Sequence, residues 1–96
     1  MSYTPKPIDT SEIFLSYDLQ ELVEFLAKNT HENWAKERMK QGWRWGPERD
    51  DIKKEHPCLI PYENLPEEEK EHERIAATEL LKTIILLEFQ ITKKKN

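Results

Sequence analysis

Apolar residues recur at helical spacing near both ends of this 96-residue chain, whereas the middle third shows no such period. The first stripe has the i, i+3, i+4, i+7 spacing of an amphipathic helix and consists of Leu19, Leu22, Val23 and Leu26. It predicts a helix over residues 19–28, with Asp18 as its cap. This stripe gives the first helix one apolar face.

Two further helices are expected. Thr30 is a cap candidate for a helix over residues 31–41, and Gly42 is placed to end it. Pro66 suits the first position of a long helix over residues 66–87, whose broad apolar stripe makes it the main contributor to the core. The fold class predicted is mainly α, or α+β at most.

A long connector over residues 43–65 separates the second and third helices. Gly46-Pro47 indicates a turn, and the apolar run Cys58-Leu59-Ile60 suits a strand or a buried extended segment. Ordered connectors of this length in small domains often carry function. We expect one domain over residues 12–92, after an N-terminal arm (1–11) and before a basic tail (93–96).

The overall composition limits the classes of partner. Hydrophobic residues make up 36% of the chain and charged residues 35%, so a small core is expected and dimerisation becomes a reasonable hypothesis. The net charge of -4 argues against binding to duplex nucleic acid. With a single cysteine, no signal-like run and no apolar stretch of membrane-spanning length, we expect a cytoplasmic protein without membrane association.

Catalytic and metal sites are not indicated. The three histidines and Cys58 show no spacing typical of metal ligands, and His56-Pro57-Cys58 is interpreted as a packed turn. Cys58 lies among hydrophobic residues and prolines, where an inert thiol is the usual state. We expect neither an enzyme nor a bound cofactor.

Aromatic and basic side chains concentrate around the segment GWRWGPERDD, residues 42–51. Indole rings can stack on planar bases, guanidinium groups can bind phosphate, and a carboxylate can orient an arginine. The set consists of Trp34, Arg38, Trp43, Trp45, Arg49, Asp50, Lys53, Lys54 and Tyr62. It fits a nucleotide pocket, but composition and spacing alone favour a structural corner in which the tryptophans are core and Arg49 pairs with Asp50.

The run HENWAKERMKQGWRWGPERDDIKKEHPCLIPYENLPEEEKEHERIAATELLKTIILLEF, residues 31–89, resembles the RyR domain. This domain is repeated in pairs in ryanodine receptors and occurs singly in bacterial and phage proteins. The motif GW-x-x-G-x-x-RDD-x-x-K-x-HP-C-L-x-P-Y carries most of the resemblance. It implies a small helical module, and a homodimer of this single-repeat chain that reproduces the paired arrangement.

The resemblance also implies a ligand, since receptor repeats are associated with adenine nucleotides. By position, Trp34 would stack on the base, Arg49 would face phosphate, and Arg38 and Trp45 would line the same cleft. Asp50, Lys54 and Tyr62 complete the expected site. The function expected is a non-enzymatic ligand-binding or sensor module for a nucleotide or a related phosphorylated metabolite. The alternative is a structural or protein-interaction (dimerisation) module without a small-molecule ligand.

Two positions depart from the family pattern. Trp45 replaces a more frequent tyrosine and keeps an aromatic face. Glu88 stands where glycine is usual, which predicts that the last helix extends beyond its normal end.

Overall fold

Two long helices joined by a small parallel ribbon make up the fold. The computed structural model describes residues 2–95, so Met1 and Asn96, the outer ends of the predicted arm and tail, lie outside it. Helix α1 spans Tyr17–Lys40, strand β1 Arg44–Trp45, strand β2 Glu55–His56, and helix α2 Glu67–Leu86, with one 3-10 turn at Tyr62–Asn64. The prediction of a mainly helical domain with short extended segments is confirmed.

The first two predicted helices are one continuous helix, which corrects the expected helix count. Asn29 and Thr30 have modest helix propensity but do not break a helix. On either side of them, Ala27 and His31 are both buried, so packing of one helical face continues across this junction. The N-cap is Ser16, whose hydroxyl accepts a hydrogen bond from the Leu19 amide, and the predicted cap Asp18 lies in the first turn instead.

Both helices end in the same hydrogen-bonded motif. At the end of α1, the Gly42 and Trp43 amides donate to the carbonyls of Met39 and Arg38, and Gly42 has a left-handed φ of 93°. This is a Schellman motif, in which glycine is usual at the left-handed position. The predicted role of Gly42 as helix terminator is confirmed.

At the end of α2, Glu88 takes the place that glycine has after α1. Its φ is 71°, and its amide and that of Phe89 donate to the carbonyls of Ile85 and Ile84. The prediction that Glu88 extends the helix is wrong, since α2 ends at Leu86. The motif forms despite the side chain, because the two hydrogen bonds satisfy carbonyls at the helix end.

The core consists of two small clusters strung along α1. Val23 packs against Ala77 and Leu81 of α2, and Ala27 packs with Tyr62 and Leu65 from the connector.

Within residues 2–95, neither helix combines the length and the apolar character needed to cross a membrane. Before α1, Thr10 is buried and its hydroxyl donates to a carboxylate oxygen of Glu79 at 2.7 Å, which fixes the end of the predicted arm to α2.

Candidate functional site

The ribbon closes residues 46–54 into a compact loop beside the C-terminal end of α1. Arg44 pairs with Glu55 and Trp45 with His56 in parallel register, and the Arg44 amide donates to the Lys54 carbonyl at 2.9 Å. Asp50 and Glu55 exchange two backbone hydrogen bonds, each 2.9 Å long. The loop therefore returns to its starting point and holds its side chains close to α1.

Asp50 stabilises the tip of this loop. Its carboxylate accepts hydrogen bonds from the amides of Ile52 and Lys53, both at 3.0 Å. A short carboxylate side chain commonly satisfies the amides that follow it in a turn. Arg49 pairs with Asp51, through Nε to Oδ1 at 2.9 Å, and not with Asp50 as the structural alternative supposed.

A guanidinium group lies between two indole rings next to the ribbon. The Cζ atom of Arg38 is 5.0 Å from the centroid of Trp43 and 6.0 Å from that of Trp34. Arg38 is half-buried and makes no ion pair with any of residues 2–95. Both distances fall within the range of cation–π attraction, so the rings hold this cation in place without neutralising it.

His56 joins the two rings from the ribbon. Its ring meets Trp34 edge-on with centroids 5.0 Å apart, and it lies 6.4 Å from Trp43. Its Nδ1 accepts the Cys58 amide hydrogen at 3.0 Å, which places the proton of the neutral ring on Nε2. Burial lowers the pKa of His56, and the positive charges of Arg49 and Arg38 lower it further.

The other predicted site residues, Trp45, Lys54 and Tyr62, lie in three different environments. Trp45 leaves 55% of its surface exposed on β1. Lys54, with a left-handed φ of 56°, donates from Nζ to the Gln41 carbonyl and ties the loop to the end of α1. Tyr62 is buried in the second core cluster and its hydroxyl donates to Glu24 at 3.0 Å, so it does not join Trp34 and Arg38 at the surface.

A cavity of about 170 Å³ opens beside Trp34. The residues that line it come from α1, from β2 and the segment after it, and from the first turns of α2: His31, Trp34, His56, Cys58, Leu65, Glu69 and Glu73. Among residues 2–95, histidine, cysteine, aspartate and glutamate side chains do not form groups of three that could hold a metal ion. Of the predicted ligand-binding residues, this cavity contains only Trp34.

Sequence reasoning assigned Trp43 and His56 no place in the final site, although Trp43 contacts the Arg38 cation and His56 contacts both indole rings. A signal existed for Trp43, because it directly follows the glycine that ends α1 and the Schellman motif brings this position back over Arg38. For His56, the contact depends on the parallel register of the ribbon, which the sequence pattern did not reveal.

A comparison with protein families supports the resemblance seen in the sequence. The model of the RyR domain family matches residues 3–93, nearly the whole chain. The match includes both helices, the ribbon and every residue of the aromatic and basic cluster. The chain belongs to the RyR domain family.

Proposed function

We propose that this RyR domain is a non-enzymatic binding module for a nucleotide or a related phosphorylated metabolite. One observation carries the proposal: Arg38 presents a half-buried cation between two indole rings, and no carboxylate of residues 2–95 pairs with it. An arginine held in this way is pre-organised for charge-assisted hydrogen bonds to phosphate oxygens.

The surface near Arg38 offers the other groups that such a ligand needs. The indole of Trp45 is largely exposed, and stacking of a base on an aromatic ring contributes about 1–3 kcal/mol in single-stranded nucleic-acid complexes. Arg49 is exposed and its one ion pair with residues 2–95 is to Asp51, so a phosphate group could compete for it. Trp34 supports Arg38 and also offers an indole to the ligand, as the resemblance implies.

Cavity size sets the expected mode of binding. Sites that enclose a nucleotide-sized ligand usually have volumes of about 300–1,000 Å³. The cavity beside Trp34 measures about 170 Å³, so a nucleotide would lie across the surface of the ribbon and α1. Because little of the ligand is enclosed, we expect a dissociation constant no tighter than about 10 μM.

Titration calorimetry with AMP, ADP and ATP tests the proposal, with adenosine and ribose 5-phosphate as the separate halves of the ligand. We expect Arg38→Gln and Trp45→Ala each to weaken binding by about tenfold. Arg44→Gln is the matched control, because Arg44 is an exposed ribbon arginine that pairs with Glu55. Absence of heat with every nucleotide at millimolar concentration, in protein shown to be folded by circular dichroism, would exclude this function.

A second function, self-association, is favoured by the surface of the chain. The accessible surface is 8060 Å², whereas a compact monomer of 11.5 kDa exposes roughly 5,800 Å². The exposed arm accounts for part of the difference. Leu80, in the C-terminal half of α2, and Leu87, at its C-cap, each leave more than half of their surface exposed.

A dimer of this chain would cover that apolar surface, and stable dimers bury about 800 Å² per partner. Sedimentation at increasing concentration tests this function. We expect a dimer that Leu80→Asp converts to monomer, while Ile52→Asp, a change of a fully exposed apolar residue in the ribbon loop, leaves it intact. A monomer at all concentrations would exclude the dimerisation function and leave the ligand proposal standing.

A further inference from the structure

The cavity beside Trp34 differs in charge from the surface around Arg38. Its lining includes two carboxylates, Glu69 and Glu73, and no lysine or arginine. Neither carboxylate makes a hydrogen bond or an ion pair with another side chain of residues 2–95. They lie four residues apart on α2, a spacing that places both on one face of the helix.

A buried histidine provides a second and independent observation. His31 is only 3% exposed, and its Nε2 lies 2.8 Å from the Ile60 carbonyl oxygen, to which it donates. In the neutral ring Nδ1 is then an acceptor, and no group of residues 2–95 donates to it. Among residues 2–95, every fully enclosed side-chain nitrogen has a hydrogen-bond partner. Since Nδ1 of His31 has none, it is not fully enclosed.

His31 is also one of the residues that line the cavity. Because this nitrogen is not enclosed, it is available to accept a hydrogen bond from a molecule in the cavity. Glu69 and Glu73 add further acceptors, and Trp34 adds an aromatic ring. Acceptors, negative charge and an aromatic ring together complement a cation that carries several N–H donors.

We propose that this cavity binds a guanidinium or primary ammonium head group, either of a small free molecule or of a basic side chain. The volume of about 170 Å³ corresponds to about six waters at roughly 30 Å³ each, which suits such a head group with its adjoining methylenes. The cation stacks near Trp34, and its N–H groups donate to the carboxylates and to His31.

This site is separate from the one proposed for nucleotides. Arg38, Trp45 and Arg49 do not line the cavity, and a phosphate group would meet only repulsion from Glu69 and Glu73. Trp34 is the one residue that the two sites share. A variant that changes the carboxylates therefore affects cation binding and leaves nucleotide binding unchanged.

The test compares two ligands of the same shape and different charge on the wild-type chain. The amide-capped derivatives of arginine and citrulline differ in the guanidinium and urea groups alone. Titration calorimetry should show binding of the arginine derivative at least about tenfold tighter than that of the citrulline derivative. NMR spectra should show the Trp34 indole and His31 ring signals shifting with the same affinity. Equal binding of both derivatives, or no binding of either, would overturn the proposal.

Variants locate the site. Glu69→Gln with Glu73→Gln keeps the shape of both side chains and should weaken binding of the arginine derivative by about tenfold. Glu68→Gln is the matched control, since this glutamate lies on the same helix and does not line the cavity. Agmatine, a free small cation, and an arginine-containing tripeptide separate the two sources of the head group. Unchanged affinity in the double variant would contradict the assignment even if the arginine derivative bound elsewhere.

Discussion

Gly42 and Glu88 occupy equivalent positions, each being the left-handed residue that ends a long helix, with φ angles of 93° and 71°. Only one of them is a glycine. The left-handed conformation costs about 1–2 kcal/mol for a residue with a Cβ atom. The two helix ends therefore provide a matched pair of sites at which that cost can be measured in one molecule.

We expect Glu88→Gly to stabilise the domain by about 0.5–1 kcal/mol, because strain is relieved while the unfolded chain gains some freedom. Gly42→Ala should destabilise it by about 1 kcal/mol. A Cβ at position 42 would be 3.9 Å from the nearest side-chain atom, so strain and not collision sets the cost. Urea denaturation measures both changes. Destabilisation by Glu88→Gly would show that the glutamate side chain makes an interaction of its own.

Gly46→Ala should be more damaging, since the space is already filled. A Cβ at position 46 would lie 2.5 Å from the Cβ of Glu55. We expect a loss of about 1–3 kcal/mol in urea denaturation, typical of forced overpacking. Glu55→Ala should not rescue the variant, because it keeps the Cβ, whereas Glu55→Gly should recover part of the loss. Additive effects in the Gly46→Ala, Glu55→Gly cycle would contradict this contact.

The hydrogen bond from Tyr62 to Glu24 joins the connector to α1. Tyr62→Phe removes the donor and keeps the packing of the ring, so we expect a loss of about 1 kcal/mol in urea denaturation. Nucleotide binding should be unchanged, because the ring lies in the core. Glu24 also accepts from Arg74 at 2.8 Å, so its carboxylate keeps a partner. Weaker nucleotide binding in Tyr62→Phe would return Tyr62 to the candidate site.

Stability should depend on pH through His56, whose pKa is lowered mainly by burial. The unfolded chain takes up a proton near the ordinary pKa of 6.5, before the folded protein does. The contribution of neutral His56 is therefore complete above about pH 6.5 and declines as pH falls from there through the folded pKa. NMR titration of the His56 ring should give a midpoint below 6.5, and Arg49→Gln should raise it. A midpoint at or above 6.5 would show that the ring is not buried as described.

Helices and helix ends were predictable from the sequence where they depend on local patterns of residues. The apolar stripe around Val23 predicted the first helix, Pro66 and a second apolar stripe predicted the last one, and Gly42 predicted a helix end. The break expected at Asn29 did not occur, because propensity at two positions is weaker than continuous burial of one helical face. The prediction that Glu88 extends the last helix was wrong for the opposite reason. The hydrogen bonds at the helix end stabilise the left-handed conformation there, although a residue other than glycine disfavours it.

The candidate site was predictable only in part. Trp34 and Arg38 are four residues apart on one helix, so their proximity follows from sequence spacing. The approach of His56 to Trp34 depends on parallel pairing between strands of two residues each, which are too short to show a period. The choice of Asp51 over Asp50 as the partner of Arg49 is set by the turn, because Asp50 is already used by the amides of Ile52 and Lys53.

Because α1 is continuous, it links the two core clusters during unfolding. Val23 and Ala27 belong to different core clusters but stand on adjacent turns of the same helix. Disruption of either cluster would also disturb α1, which contributes to both. The domain should therefore unfold as a single cooperative unit. In hydrogen-exchange experiments, the amides of these two turns should lose their protection together, and later than the other amides of the domain.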